Sequence, residues 1–157
     1  MMRGVFVPFL GIALAACGGQ SADGHEVAVR VIASGLQCGR TEDVSIAEIR
    51  SSEEFNVWLP DFASADMATI FDRERVFVID MGGRATAGYG LSLARPYARL
   101  EHGTVTVALN WQAPAPGAFA AQVITHPCLV VSLEKHPYTD LRIVDQNGAE
   151  RARLALR

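Results

Sequence analysis

The sequence predicts a mostly β domain of the α+β class, an antiparallel β-sandwich or curled sheet of about seven or eight strands with one short helix packed on it. Three observations predict it. Apolar and polar residues alternate with a period of two in run after run along the chain. The connections between these runs are short and rich in Gly, Pro, Asn and Ser, which favours antiparallel neighbours. A clear helix start occurs only once, at Ser51.

The first strand is read over 26–34, where Val27, Val29 and Val31 alternate with Ala28, Arg30 and Ile32. The loop GLQCGRTED follows, and 44–50 alternates again through Val44 and Ile46, as a strand rather than a helix start. Ser51 with Glu54 three residues on fits a capping box, and Phe55, Trp58 and Leu59 give the short helix one apolar face before Pro60 stops it. Such a helix needs tertiary packing to persist, so its aromatic face is expected on the sheet. Residues 61–72 read as a loop.

Val76 to Ile79 is a continuous apolar run, which suits a strand covered on both faces. The connection GGRATAGYG leads into a strand carrying Tyr89, Leu91 and Leu93, and Pro96 then marks an edge or a bend. The clearest strand is 104–111, with Val105, Val107, Leu109 and Trp111 on one face. Residues 112–119 (QAPAPGAF) form a Pro/Gly loop and 120–125 an extended stretch; 128–133 is another strand, with Leu129, Val131 and Leu133 on one face. The tail reads as a hairpin turning at Asn147-Gly148, whose Arg151, Arg153 and Arg157 form a solvated face that blunts an edge strand.

The leader bounds the compartment. Arg3 precedes an apolar run from Val5 to Ala16, shorter than the roughly 20 residues of a membrane span, so 1–16 reads as a signal peptide. Leu14-Ala15-Ala16-Cys17 resembles the lipobox of bacterial lipoproteins, which implies that Cys17 is acylated and becomes the new N-terminus. Gly18 rather than Asp after the cysteine favours the outer membrane, facing the periplasm; 17–25 is then the acylated Cys and a flexible tether, and 26–157 a single domain. With Cys17 lipidated, Cys38 and Cys128 remain as an even pair in an oxidising compartment, either a disulfide or two buried thiols. Net charge is −3 with no basic block, so no nucleic-acid partner is expected.

Catalytic readings fare badly. His25, His102, His126 and His136 lack metal-ligand spacing, and His126-Pro127-Cys128 is one pair where a tetrahedral site needs four ligands. Cys128 opens an apolar strand, and Ser132 lacks the strand–turn–helix setting of a nucleophile elbow. No cofactor is expected. The remaining candidate is the Gly-rich connection, where Arg84, Thr86, Gly88 and Tyr89 make either an exposed loop for a protein partner or a purely structural β-connection. A nucleotide site is not supported, because no Lys-Ser/Thr and no helix follow the glycines.

The run VFVIDMGGRATAGYGLSL, then TVTVALNW, PAPGAF and THPCLVVSLEK, resembles the C-terminal domain family named after PrcB, over about 75–135. Gly82, Arg84, Thr86, Gly88, Tyr89, Pro116, Gly117, Thr125 and Pro127 stand at the family's pattern positions, with Ala85 in place of a Pro and Cys128 where an aromatic is common. The namesake is a lipoprotein subunit of a bacterial surface protease complex and is not itself a protease. The resemblance therefore implies a non-catalytic, lipid-anchored interaction module that stabilises or modulates a protease complex, with 84–89, Pro116 and Gly117 as its partner-binding loops. Thr-x-Gly-Tyr also resembles a loop of chagasin-type cysteine-protease inhibitors, although their Gly-rich second loop is missing. An inhibitor using 84–89 and 113–119 as adjacent wedges, and an envelope structural protein without a dedicated ligand, are the alternatives. The two interaction readings predict both loops exposed at one end of the domain.

Overall fold

The computed structural model describes residues 24–60 and 67–157; the leader, Cys17 and residues 61–66 lie outside them. The strands are β1 (His25–Gly35), β2 (Ser45–Ile49), β3 (Glu74–Asp80), β4 (Gly90–Leu93), β5 (Tyr97–Glu101), β6 (Thr104–Gln112), β7 (Cys128–Glu134), β8 (Asp140–Val144) and β9 (Glu150–Ala155). The helices are α1 (Ser52–Trp58) and α2 (Met67–Arg73). All nine strands join one curled sheet in the order β2-β3-β7-β1-β5-β6-β8-β9, with β4 also pairing β6. The two ends of that path, β2 and β9, approach each other, so the sheet nearly closes into a barrel.

The mostly β expectation holds as a curled sheet rather than a sandwich. Three details differ from the sequence reading. The stretch read as a loop up to residue 72 contains α2 from Met67 onward, an element with no acidic residue in its first turn to announce it. β6 and β8 pair in parallel, because the chain crosses to β7 between them and returns. The 120–125 stretch forms no strand, and only Thr125 bridges to Arg84.

The sheet has two unlike halves. β3 and β7 bury both faces: Phe77, Ile79, Leu129, Val131 and Leu133 point into the barrel, while Val76, Val78, Cys128 and Val130 point outward beneath Phe55, Leu59 and Met67. That double burial is why Val76 to Ile79 is continuously apolar. On β6 and β8 Val105, Val107, Leu109, Leu141 and Ile143 are inside, while the alternates Thr104, Thr106, Ala108 and Arg142 are only half-buried. A bulge in β1 between Val31 and Ala33 moves its apolar phase from the interior, at Val27 and Val29, to the helix-covered side, at Ala33.

Local chemistry sets the element ends. The Ser51 side chain accepts from the Glu54 amide at 3.1 Å, and the Glu54 carboxylate reaches back to the Arg50 amide at 2.7 Å, a capping box shifted by one residue. β5 and β6 join through His102-Gly103, both at positive φ (49° and 79°), the geometry of a two-residue hairpin turn. The β8–β9 turn is held by Asp145, whose carboxylate accepts from the Asn147 and Ala149 amides and pairs with Arg151 at 2.6 Å. The groove between the edge strands, about 400 Å³, is lined by Glu48, Arg50, Arg75 and Arg157 among others. There Glu48 binds Arg75 at 2.7 Å and Arg50 at 3.0 Å. Burial opposes ionisation of Glu48, but the two arginines outweigh it and hold the carboxyl below its usual range.

Candidate functional site

Two crossovers meet over one end of the barrel. The β3–β4 connection, 81–89, runs from the β3/β7 wall to the β4/β6 wall, and the β6–β7 connection, 113–127, runs back the other way. They pair where they pass. Arg84 and Thr125 exchange both backbone hydrogen bonds at 2.8 Å, and the Ala87 amide donates to the Ala121 carbonyl at 3.0 Å. The two segments that carry the sequence pattern, 82–89 and 116–127, are thus one structure, a cap over the barrel mouth. A third connection, 36–44 from β1 to β2, docks beside them: the His126 amide donates to the Leu36 carbonyl, and the Gly39 amide to the His126 carbonyl, both at 2.9 Å.

Asp80 holds these pieces together. It is the last residue of β3 and fully buried. One carboxylate oxygen accepts from the Arg40 amide (2.6 Å), the Thr41 amide (3.0 Å) and the Thr41 hydroxyl (2.9 Å); the other accepts from the Gly82 amide at 2.8 Å. Hydrogen bonds to an ionised acceptor are about twice as strong as neutral ones, so one side chain fixes two connections. The packing leaves no room for larger residues. A Cβ on Gly39 would lie 2.2 Å from Asp80 Oδ1, and one on Gly82, at φ +83°, would lie 2.5 Å from the Glu42 carbonyl oxygen. Sequence reasoning stopped at Ile79 and missed Asp80; the available signal was a lone carboxylate closing a fully apolar strand. The expected Cys38–Cys128 bond is formed, with 5.5 Å between Cα atoms, and ties the 36–44 connection to the start of β7.

The sequence-derived site residues fall into two groups. Arg84 folds back: its Nη2 donates to the Met81 carbonyl at 2.5 Å and its guanidinium sits over the Tyr89 ring at 5.5 Å. The Thr86 carbonyl accepts from the Thr125 hydroxyl at 3.4 Å, and Thr125 itself is buried. Arg84, Thr86 and Tyr89 are half-buried and Gly88 is exposed. A Cβ on Gly88 (φ +95°) would come 3.0 Å from Pro114, so this glycine lets the crossovers touch. Pro116 and Gly117, in contrast, are exposed at the tip. The Ala118 amide donates to the Ala115 carbonyl at 3.0 Å, and Gly117 takes φ +77°, which makes residues 115–118 a type II turn with Pro and Gly at their preferred central positions. Just past that turn Phe119 stands wholly in solvent, beside a groove of about 410 Å³ between the two crossovers. Both loops therefore lie at the same end, one tied down and one exposed.

Chemically, Cys128 is committed to its disulfide and is no free nucleophile. Among the described residues, no group of three or more His, Cys, Asp and Glu side chains converges as a metal site, and no helix is long and apolar enough to cross a membrane. What the cap offers is backbone turns, apolar side chains and one stacked arginine, which are means of recognition.

Comparison with curated proteins and with solved structures returned no match. A family model does match: residues 75–134, the segment from β3 to β7 with both crossovers of the cap, are similar to the family described as PrcB C-terminal.

Proposed function

We propose that this protein is a non-catalytic, lipid-anchored component of the bacterial cell envelope, held by Cys17 in the outer membrane and facing the periplasm, and that its cap binds a protein partner, stabilising or modulating a protease complex. The observation that carries the reading is the pairing of the two patterned crossovers into one surface at the end of the barrel remote from His25, where β1 begins. An anchor on the N-terminal side would present that surface outward. The family match supports the association with a protease complex.

The adjacent-wedge geometry also suits an inhibitor, and assay against a papain-type protease separates the two. The back-folded Arg84 and the internally bonded Thr86 lend weight to a structural role for that half of the cap. The test is a pull-down from detergent-solubilised envelopes with wild type and the Arg84→Ala/Thr86→Ala variant. Loss of partners from the variant supports the loop reading, and identical recovery removes these two side chains from it. Cys17→Ser is expected to release the protein from membranes; unchanged membrane association contradicts the anchor.

A further inference from the structure

The two sulfurs of the Cys38–Cys128 bond are covered unequally. Cys128 opens β7 within the helix-covered core and is 1% exposed. Cys38, on the 36–44 connection, is 8% exposed and lies in the wall of an open groove of about 400 Å³, together with Gly35, Arg40 and Trp58. Gly35 leaves one flank of Cys38 bare. A Cβ at position 35 would lie 3.3 Å from Cys38 Sγ and 3.9 Å from Cys38 Cβ. Among the described residues, apart from the chain neighbours of Gly35, no other atom comes within 4 Å of that point. Every atom of Cys128 is therefore farther from it than Cys38 Sγ is, although Gly35 and Cys128 are partners in the β1–β7 register. The bare point lies on the far side of Cys38 Sγ from Cys128, and a nucleophile that displaces the Cys128 sulfur arrives on that side. The Arg40 guanidinium stands over the Trp58 ring at 5.7 Å, and a positive charge in the groove favours the thiolate form of a thiol that enters.

We propose that Cys38 Sγ is the point at which this disulfide exchanges with external thiols, and that the groove admits a small thiol of the glutathione kind to it while Cys128 stays out of reach. The incoming thiolate bonds to Cys38 Sγ. The Cys38–Cys128 bond breaks, and its electron pair leaves on Cys128 Sγ, which takes up a proton. A second thiol then attacks the sulfur of the first and frees Cys38 as a thiol, so two external thiols are oxidised to one disulfide as the protein's pair is reduced. Run backward, the same steps close the bond from an oxidised thiol. The 36–44 connection is also held by Asp80 and by the His126 backbone, so opening the bond does not by itself release it.

The experiment uses the full chain carrying Cys17→Ser, so that only Cys38 and Cys128 can exchange, with reduced glutathione as the probe. Samples are quenched in acid and digested, and the mixed disulfide is located by mass. The proposal expects glutathione on Cys38 and a free thiol at Cys128. It expects the rate to change little with urea well below the unfolding midpoint, because the attack occurs on the folded protein. Gly35→Ala fills the bare point at a backbone φ open to any residue, and it is expected to slow the reaction at least about tenfold in buffer and not at all in unfolding urea. Glutathione on Cys128, or a rate that climbs with urea as steeply as unfolding does, overturns the proposal. A Gly35→Ala chain that keeps its urea midpoint and is reduced as fast as the unsubstituted chain also overturns it. The mapping and the urea dependence need no substitution at the groove, so they decide the matter whatever Gly35→Ala does to folding.

Discussion

The two crossovers of the cap run side by side yet are built on opposite principles. The 81–89 connection is tied down along its backbone: Asp80 takes the Gly82 amide, Glu42 the Gly83 amide, Thr125 the Arg84 amide and Ala121 the Ala87 amide. The 113–124 stretch makes the turn at Ala115–Ala118, lends the Ala121 and Ile124 carbonyls as acceptors, and leaves the side chains of Phe119, Val123 and Ile124 to solvent. Buried polar groups must be paired, so the first connection is fixed by the cost of breaking it. The second carries apolar surface that folding does not use. A sequence pattern can therefore mark a scaffold while the exposed apolar side chains lie a few residues away.

Substitutions should separate the two. The largest effect is expected at Asp80. Asp80→Ala strands a buried donor at Gly82 and part-buried ones at Arg40 and Thr41, and destabilisation of at least about 3 kcal/mol is expected in urea unfolding. A loss under about 1 kcal/mol contradicts the scaffold role. Next is the disulfide: the Cys38→Ala/Cys128→Ala pair opens a link between residues 90 apart, and about 2–4 kcal/mol is expected to be lost. Gly82→Ala meets both the positive φ and the Glu42 carbonyl, for about 1–3 kcal/mol. Phe119→Ser is expected to change stability by less than about 0.5 kcal/mol, because the ring touches nothing that folding buries. A melting temperature lowered as much as in Gly82→Ala would erase the contrast.

Acid sharpens a different boundary. Glu48 and Glu74 are held below the usual carboxylate range: burial opposes this in each, but hydrogen bonds from Arg75 and Arg50 to Glu48, and from Arg30 to Glu74, outweigh it. Asp145 is lowered likewise, with burial opposed by the Asn147 and Ala149 amides and by Arg151. Groups whose folded values are depressed contribute stability that is complete above the ordinary range near about 4 and lost as pH falls through the folded values. Unfolding midpoints followed downward from neutral pH should stay level and then drop below about pH 4. A drop that is complete well above about pH 4 would contradict this account.

Much of this was legible in the chain. Alternation located β1, β2, β6, β7 and the tail hairpin, and Ser51 with Glu54 located α1, because each signal is local. α2 was not legible, since Met67–Arg73 has no capping residue among the described positions and is held by Met67 packing under the sheet. The parallel β6–β8 pair was hidden because it depends on where the chain goes between them. Within the site, the alternation of glycines identified the β3–β4 connection. Asp80 gained meaning only once the Gly39–Thr41 backbone was seen to fold onto it, and the exposure of Ile124 was hidden by its place in a stretch read as extended.

Amide hydrogen exchange on the purified domain tests the contrast most directly, because it reads each half of the cap separately. The amides of Arg40, Thr41, Gly82, Arg84 and Thr125 are expected to exchange nearly as slowly as those of β3 and β7, and those of Phe119, Ala120 and Gln122 at close to unprotected rates. Equally fast exchange along both crossovers would contradict the account of one as scaffold and the other as an exposed, loosely held segment.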